Sequence, residues 1–194
     1  MKLYLRKATE NDVDILFKWA NDEVVRKNSF CTEKIKYEDH LVWFDKLLKD
    51  SNRMQFILEQ NDEGQINLIG QIRISLEENG TQAEIGYSVD PSYRGMGYGK
   101  QMLRMVATQL QQDYPKISRL IAKIKPNNVA SYKAFIDTGF EEMFQQLELK
   151  LSHHNKEQDE FSENSGGGVL DRFWYHVVNM MCNHQSYVYG LLSV

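Results

Sequence analysis

The segment from Glu84 to Lys100 constrains the fold most, because it joins a strand pattern to a glycine-rich turn and then to a helix pattern. It reads EIGYSVDPSYRGMGYGK. The glycines at 95, 97 and 99 lack the Cβ atoms that would keep an anion away from the main chain, so successive backbone N–H groups can point at one. The helix that follows adds the positive end of its dipole. We therefore predict a turn that binds a pyrophosphate.

Two common phosphate-binding motifs do not fit this spacing. A Walker loop requires glycine five positions before its Gly-Lys pair and serine or threonine after it, but Arg94 and Gln101 stand there. A dinucleotide fingerprint requires a glycine at the sixth position from Gly95, which is Lys100. The Walker interpretation therefore fails, and the dinucleotide interpretation has little support.

Two stretches of the chain resemble landmarks of one known family, the GNAT acetyltransferases. The turn is similar to their (Arg/Gln)-x-x-Gly-x-(Gly/Ala) loop at Arg94, Gly97 and Gly99, and the strand and Asp-Pro turn before it are also present. About 30 residues later, KPNNVAS at 125–131 and the Gly139-Phe140 pair resemble the family's Asn-x-x-(Ala/Ser) helix and its closing Gly-Phe. The resemblance implies an acetyl-CoA-dependent N-acetyltransferase with acetyl-CoA as co-substrate.

The order of hydrophobic patterns along the chain predicts a mixed α/β fold. Alternating patterns predict strands at 2–6, 54–60, 68–76, 82–89, 120–124, 140–151 and 170–178. Helical spacing predicts helices that bear the stripes Val13/Leu16/Phe17/Ala20, Leu41/Phe44/Leu48 and Met102/Leu103/Val106/Leu110, and a last one from Asn127 or Asn128 to Phe135. Residues 21–36 are expected to form a polar connection, and Asn61 to Gly64 a hairpin turn.

The resulting order, β-α-α-β-β-β-α-β-α-β-β, is the order of the GNAT fold, which has a single, mostly antiparallel central sheet flanked by helices. We predict one domain over residues 1–178, because 194 residues with 42% apolar content suffice for one core. Within it, residues 152–168 are polar, end in three glycines and predict a flexible surface loop. The role of the C-terminal tail, 179–194, is left open.

Composition and charge limit the class of partner. A net charge of −4 and a pI near 5.8 argue against a nucleic-acid binder and suit a small polar or cationic substrate. Cys31 and Cys182 form no CxxC pair, and the histidines at 153, 154, 176 and 184 lack ligand spacing, so we predict no metal site. Without a signal-peptide pattern or an apolar run long enough for a membrane span, the protein is expected to be cytoplasmic, with no membrane partner.

The resemblance also assigns coenzyme-binding positions. Tyr87, Ser88 and Val89 lie on the strand whose main chain pairs with the pantetheine arm in this family, although the side chain of Val89 is expected in the core. Asn128 is expected to hydrogen-bond the pantetheine as well as to cap its helix. The complete set of predicted coenzyme contacts is Tyr87, Ser88, Val89, Arg94, Gly95, Met96, Gly97, Tyr98, Gly99, Lys100, Asn128 and Ser131.

Two residues are candidates for proton transfer. An alkylammonium has a pKa near 10.4, so an amine acceptor needs a proton acceptor at neutral pH. Glu84 matches a position where related enzymes carry an acidic residue, so we predict that it is the base; the alternative is an ordinary solvated glutamate. Many GNAT enzymes place a tyrosine seven residues after the asparagine, but Phe135 stands there, and Tyr132 is the candidate substitute. Otherwise Tyr132 packs, and water or substrate protonates the thiolate.

The first two helices are expected to line the acceptor groove. Trp-x-Asn-Asp with a following Val-Arg, and His-x-x-Trp-Phe in the next helix, resemble GNAT enzymes that acetylate nucleotide-linked amino sugars in bacterial surface-sugar biosynthesis. An exposed wall is predicted, with Arg26 suited to a diphosphate and a tryptophan to a sugar or base. The predicted substrate contacts are Trp19, Asn21, Arg26, His40 and Trp43. The alternative places Trp43 and Phe44 in the core, with His40 as a surface cap.

Other acceptors and roles stay open at this point. The Leu-Arg-Lys-Ala-Thr opening and the helix at Ser131 also resemble enzymes that acetylate ribosomal-protein N-termini or polyamines. An alternative of a different class is a catalytically silent acyl-CoA-binding module, which Phe135 motivates. A homodimer is possible, because the aromatic residues between Phe173 and Tyr189 could cover a second subunit.

Overall fold

The strands of the described chain form one sheet in chain order. In the computed structural model, which describes residues 2–143, the order is β1-β2-β3-β4-β5. The strands are β1 (Lys2–Lys7), β2 (Arg53–Asp62), β3 (Gln65–Leu76), β4 (Gln82–Val89) and β5 (Arg119–Ile121); the helices are α1 (Val13–Ala20), α2 (Glu23–Asn28), α3 (Tyr37–Lys49), α4 (Tyr98–Asp113) and α5 (Val129–Ile136). Short 3-10 turns occupy Glu10–Asp12 and Pro91–Tyr93.

The first four strands are antiparallel, and only β4 and β5 are parallel. The β2–β3 hairpin closes through Glu63 and Gly64, whose φ values of 49° and 95° are both positive. Such turns match the right-handed twist of the flanking strands, which explains the tight connection. The predicted mixed α/β class and mostly antiparallel sheet are confirmed.

Two apolar clusters pack on opposite faces of the sheet. One face carries Phe56, Ile72 and Ile85 against the α4 stripe and Phe135 of α5. The other carries Ile57 against α1 and α3. The stripe Met102/Leu103/Val106/Leu110, all buried, is confirmed as the inner face of α4.

Two local predictions about the first helices are wrong. The connection at 21–36 contains α2, which begins where the Asp22 carboxylate accepts the Val25 N–H. Six residues are too few for a periodic pattern, so only this capping aspartate signals the helix. In α3 the buried face comprises His40, Trp43, Phe44 and Leu47, whereas Leu41 and Leu48 are exposed. The aromatic rings have more apolar area to bury than the leucines, and this decides which face turns inward.

The rest of the chain lies outside the described residues. The predicted strand at 170–178, the loop at 152–168 and the tail at 179–194 are all in that part. Of the predicted strand at 140–151, only residues 140–143 are described, and they do not form a strand. The single-domain assignment stays a prediction. Among the described helices, none combines the length and apolar character that crossing a membrane requires.

Candidate active site

The glycine-rich turn presents open backbone at the start of α4. Asp90 caps the 3-10 turn by accepting the Ser92 N–H at 2.9 Å, and Pro91 follows at its first position. Gly95 and Gly97 have φ values of 77° and 83°, which favour glycine, and a Cβ on either would meet nothing within 4 Å. Exposed backbone therefore faces open space at the N-terminus of a 16-residue helix. This shape fits the diphosphate of a coenzyme.

Gly99 serves a different purpose from the other two glycines. A Cβ on Gly99 would lie 2.8 Å from Cε2 of Tyr87 and 3.1 Å from its hydroxyl oxygen. The missing side chain therefore makes room for a buried phenol ring, which differs from the expectation that all three glycines clear space for an anion.

A groove begins where the parallel strands stop pairing. β4 and β5 pair only from Gln82/Arg119 to Glu84/Ile121. Beyond Glu84, the segment from Ile85 to Val89 has no strand partner on that side within residues 2–143. Unpaired main chain of this kind can hydrogen-bond an extended ligand. The predicted pantetheine contacts Tyr87, Ser88 and Val89 lie on this segment; all three residues are buried, and the Val89 carbonyl already accepts a hydrogen bond from Arg94. Their contact with a pantetheine stays a prediction.

Helix α5 closes one side of this groove. Asn128 caps the helix by accepting the Ser131 N–H at 3.2 Å, and Phe135 packs on Tyr87 with ring centroids 5.6 Å apart. The buried Ser131 hydroxyl has no partner of hydrogen-bonding geometry among the described residues, although it lies near enough to Tyr87 to interact electrostatically. Burial raises the pKa of Tyr87, and Ser131 opposes part of that rise. The phenol is therefore neutral at physiological pH.

The two predicted proton-transfer residues have other partners. The Glu84 carboxylate, partly buried, accepts a hydrogen bond from Lys123 Nζ at 2.8 Å. The exposed Tyr132 donates its hydroxyl to Glu142 at 3.1 Å, and this hydrogen bond raises the pKa of Tyr132. No described contact joins Glu84 to Tyr132. Their catalytic roles stay predictions.

Side chains of the turn bond to the protein itself. Arg94 donates to the Val89 carbonyl at 3.1 Å and to Asp22 at 2.5 Å. Lys100 pairs with Asp137 at 2.5 Å, and the Tyr98 hydroxyl donates to Gln60 at 2.5 Å. Met96 is exposed. Any coenzyme contact from this segment is therefore most direct through its main chain.

The expected exposed wall of the acceptor groove is wrong. Trp19, Arg26, His40 and Trp43 are all buried. The Arg26 guanidinium donates to the carbonyls of Cys31 and Glu33 and to Ser29 Oγ, and His40 Nε2 lies 2.9 Å from the Val13 carbonyl. Both polar atoms of the Asn21 amide bond Ile35. The substrate-binding assignment loses the support of exposure; it now rests on the resemblance of the motifs and stays a prediction.

A polar network that the sequence analysis missed crosses the sheet on the face of α1 and α3. Gln55 donates to Gln71, and Gln71 donates to Ser88 Oγ at 3.1 Å; all three side chains are buried. Buried amides are hydrogen-bonded when they persist in a core, and this chain links β2, β3 and β4. The signal was available: Gln55, Gln71 and Ser88 occupy alternating positions opposite the apolar face of their strands.

Two lysines after β5 give the groove a cationic edge. Lys123 pairs with Glu84, and Lys125 Nζ donates to the Lys27 carbonyl at the end of α2, at 3.0 Å. Burial and then the charge of Arg26 lower the pKa of Lys125. Within residues 2–143 no cluster of three metal-binding side chains occurs, and His153, His154, His176 and His184 lie outside that range.

Comparisons with known proteins agree with this geometry. Residues 2–141 match the sequence model of the acetyltransferase (GNAT) domain. The chain is 27% identical over 140 residues to acetyltransferase PseH of Campylobacter jejuni, covering 70% of this chain and 83% of PseH. It is also 27% identical over 142 residues to an uncharacterized protein of Methanocaldococcus jannaschii, covering 72% of this chain but 28% of that protein.

A solved structure shares the fold. The spermidine N-acetyltransferase of Vibrio cholerae, solved in complex with CoA and spermine, superposes with a TM-score of 0.68 at 17% identity, covering 78% of this chain and 88% of that one. At this level of identity the likeness establishes the fold alone.

Proposed function

The chain belongs to the GNAT acetyltransferase family, and we propose that its acceptor is the amino group of a nucleotide-linked amino sugar. The family assignment makes it an acyl-CoA-dependent N-acetyltransferase with acetyl-CoA as co-substrate. The acceptor is the proposed part.

Lys125, at the cationic edge, carries the proposal, because the charge of Lys123 is balanced by Glu84. Lys125 reaches from the loop after β5 to the last turn of α2, beside the buried Arg26. Cations held close together attract a diphosphate and repel a polyamine. The motifs around Trp19 and His40, which resemble amino-sugar acetyltransferases, point in the same direction.

The residues divide the work of the reaction as follows. When bound, acetyl-CoA supplies an activated acetyl group. The main chain of Gly95–Gly97 and the start of α4 hold the diphosphate, and the unpaired edge of β4 aligns the pantetheine. Alignment of this kind supplies a large part of the rate. An N–H near Val89 stabilises the developing oxyanion.

Proton transfer completes the proposed mechanism. Glu84 takes one proton from the ammonium, which gives a neutral amine whose lone pair attacks the thioester carbon. As the tetrahedral intermediate collapses, the carbon–sulfur bond breaks and the nitrogen loses its second proton to water, which leaves a neutral amide. The Tyr132 hydroxyl, after leaving Glu142, protonates the thiolate. Because Glu84 is paired with Lys123, acceptor binding must displace or share that ammonium.

A thiol-release assay with acetyl-CoA and matched acceptors tests the proposal. The matched pair is a UDP-linked amino sugar and the same amino sugar without the nucleotide, run beside spermidine and an N-terminal peptide of a ribosomal protein. We expect kcat/KM for the nucleotide-linked sugar to exceed every other value at least about tenfold. Preference for spermidine or the peptide would support the alternative acceptors. CoA binding without turnover on any compound would indicate a catalytically silent module.

Three further proposals rest on the sequence alone. We propose that the protein works in the cytoplasm, that residues 1–178 form a single domain, and that two copies associate. Sedimentation of the full chain tests the association.

A further inference from the structure

The corner between α1 and α2 contacts the coenzyme-binding turn through two side-chain bridges. Trp19, near the end of α1, donates its indole N–H to Asp90 at 2.8 Å. Asp22, the capping residue of α2, accepts from Arg94 at 2.5 Å. The bridges join residues 71 and 72 positions apart in sequence, and they meet the turn on both sides of its 3-10 segment.

The Trp19–Asp90 bridge is shielded from water. Trp19 is 1% exposed and Asp90 is 8% exposed. A buried carboxylate needs its hydrogen bonds, because losing one leaves a desolvated polar atom. The second oxygen of Asp90 caps the 3-10 turn through Ser92 N–H. The indole therefore holds the carboxylate that shapes the turn.

The Arg94 bridge acts directly before the open glycines. The Arg94 guanidinium is held at two points, the Val89 carbonyl and Asp22, and the Arg94 side chain is only 24% exposed. Gly95 follows Arg94 in the chain, so the direction of the Gly95–Gly97 main chain depends on where Arg94 is anchored. A planar guanidinium bound at two points fixes direction better than an ammonium would.

We propose that Trp19 and Asp22 are positioning residues for the coenzyme loop, which hold the Val89–Gly97 main chain in the conformation that binds CoA without contacting CoA themselves. The proposal rests on the family's use of CoA and is independent of the acceptor. It makes the corner between α1 and α2 a determinant of coenzyme affinity. A competing arrangement, in which the Arg94 side chain binds the diphosphate directly, requires Asp22 to release it and predicts the opposite effect of removing Asp22.

The dissociation constant of CoA, measured by titration calorimetry on the full chain, distinguishes these arrangements. Asp22→Asn keeps an oxygen that can cap α2 but removes the charge that holds Arg94. We expect it to raise the Kd of CoA about fivefold, as for coupled neighbouring side chains. Arg94→Met should raise the Kd of CoA by a similar factor, and the double variant should raise it no more than the larger single change does.

The matched control is Glu23→Gln, a change at an exposed residue in the first turn of α2, which should leave the Kd of CoA unchanged.

A second readout follows the turn without any ligand. Hydrogen exchange of the amides at 95–99 should be faster in CoA-free Asp22→Asn than in the wild type, while exchange in β2 stays the same. Trp19→Phe keeps the packing but lacks the indole N–H. It should likewise raise the Kd of CoA and speed exchange at 95–99. An unchanged Kd in Asp22→Asn would overturn the proposal, and so would tighter binding, which would mean that Asp22 withholds Arg94 from the diphosphate. Failure of the amino-sugar assay would leave these results unaffected.

Discussion

The phenol ring of Tyr87 lies against the main chain of Gly99, so closely that a Cβ on the glycine would come within 2.8 Å of ring atom Cε2. The contact joins the unpaired end of β4 to the first turn of α4. Because Phe135 packs on the same ring, Tyr87 holds both helices that flank the groove in place. One buried aromatic side chain therefore lies between α4 and α5.

Gly99→Ala is expected to destabilise the fold by about 1–3 kcal/mol, the usual effect of overpacking a tight site. Urea denaturation followed by circular dichroism measures this. Gly99→Ala should lower the free energy of unfolding less in a Tyr87→Leu background than in the wild type, because leucine leaves the ring position empty. Equal losses from Gly99→Ala in both backgrounds would contradict the assigned contact.

Glu84→Gln is expected to lower kcat by about a hundredfold or more, since a glutamine cannot accept the proton of the ammonium. Steady-state kinetics with the preferred acceptor of the matched panel measure the change, and CoA affinity should stay at the wild-type value. Lys123→Met is the companion variant, because it removes the partner of Glu84 but keeps the carboxylate. A kcat of Glu84→Gln within twofold of the wild type would assign the base elsewhere.

The sequence predicted regular elements well where the hydrophobic pattern was long and unambiguous. Strand β4 has its predicted bounds, Gln82–Val89, because the alternation that predicts a strand runs over all eight of these residues. The stripe of α4 is equally clear. In α3 the leucines and the aromatic residues compete for the inner face, and only the packing of His40 against Phe17, Trp43 and Phe44 decides between them.

The candidate site was predictable to a lesser degree, because its details depend on contacts between distant residues. The open conformation of Gly95 and Gly97 follows from local sequence, whereas the role of Gly99 depends on Tyr87, twelve positions earlier. Trp19 and Arg26 resemble surface residues in the sequence, yet the indole N–H of Trp19 bonds Asp90 and the Nη atoms of Arg26 bond Ser29 and the loop after α2, which allows burial. The motif spacing alone carries no information about such partners.

His40 should make stability depend on pH in a predictable direction. Burial lowers the pKa of His40 below the ordinary value of 6.5, so the folded state binds fewer protons than the unfolded state between these two values. Stability should therefore fall as the pH is lowered from about 6.5 through the lower, folded-state pKa, with a slope of at most about 1.4 kcal/mol per pH unit. Urea midpoints between about pH 5 and pH 7.5 measure the slope. In His40→Phe the slope should be smaller; an identical slope would exclude His40 as its source.

Lys125→Met should weaken acceptor binding in a way that depends on the phosphate groups of the acceptor. Lys125 lies at the cationic edge beside Arg26, and its pKa is already lowered by burial and by that neighbour, so an anion at this position would relieve the repulsion. We expect the KM for the UDP-linked amino sugar to rise about tenfold, the typical loss for one charge-assisted contact. The KM for the same sugar without the nucleotide, and the Kd of CoA, should stay the same. Lys116→Met, a change at an exposed lysine in the turn after α4, controls for net charge. If Lys125→Met raises both acceptor KM values equally, the role of the lysine is its hydrogen bond to the Lys27 carbonyl at the end of α2, and it does not bind a phosphate.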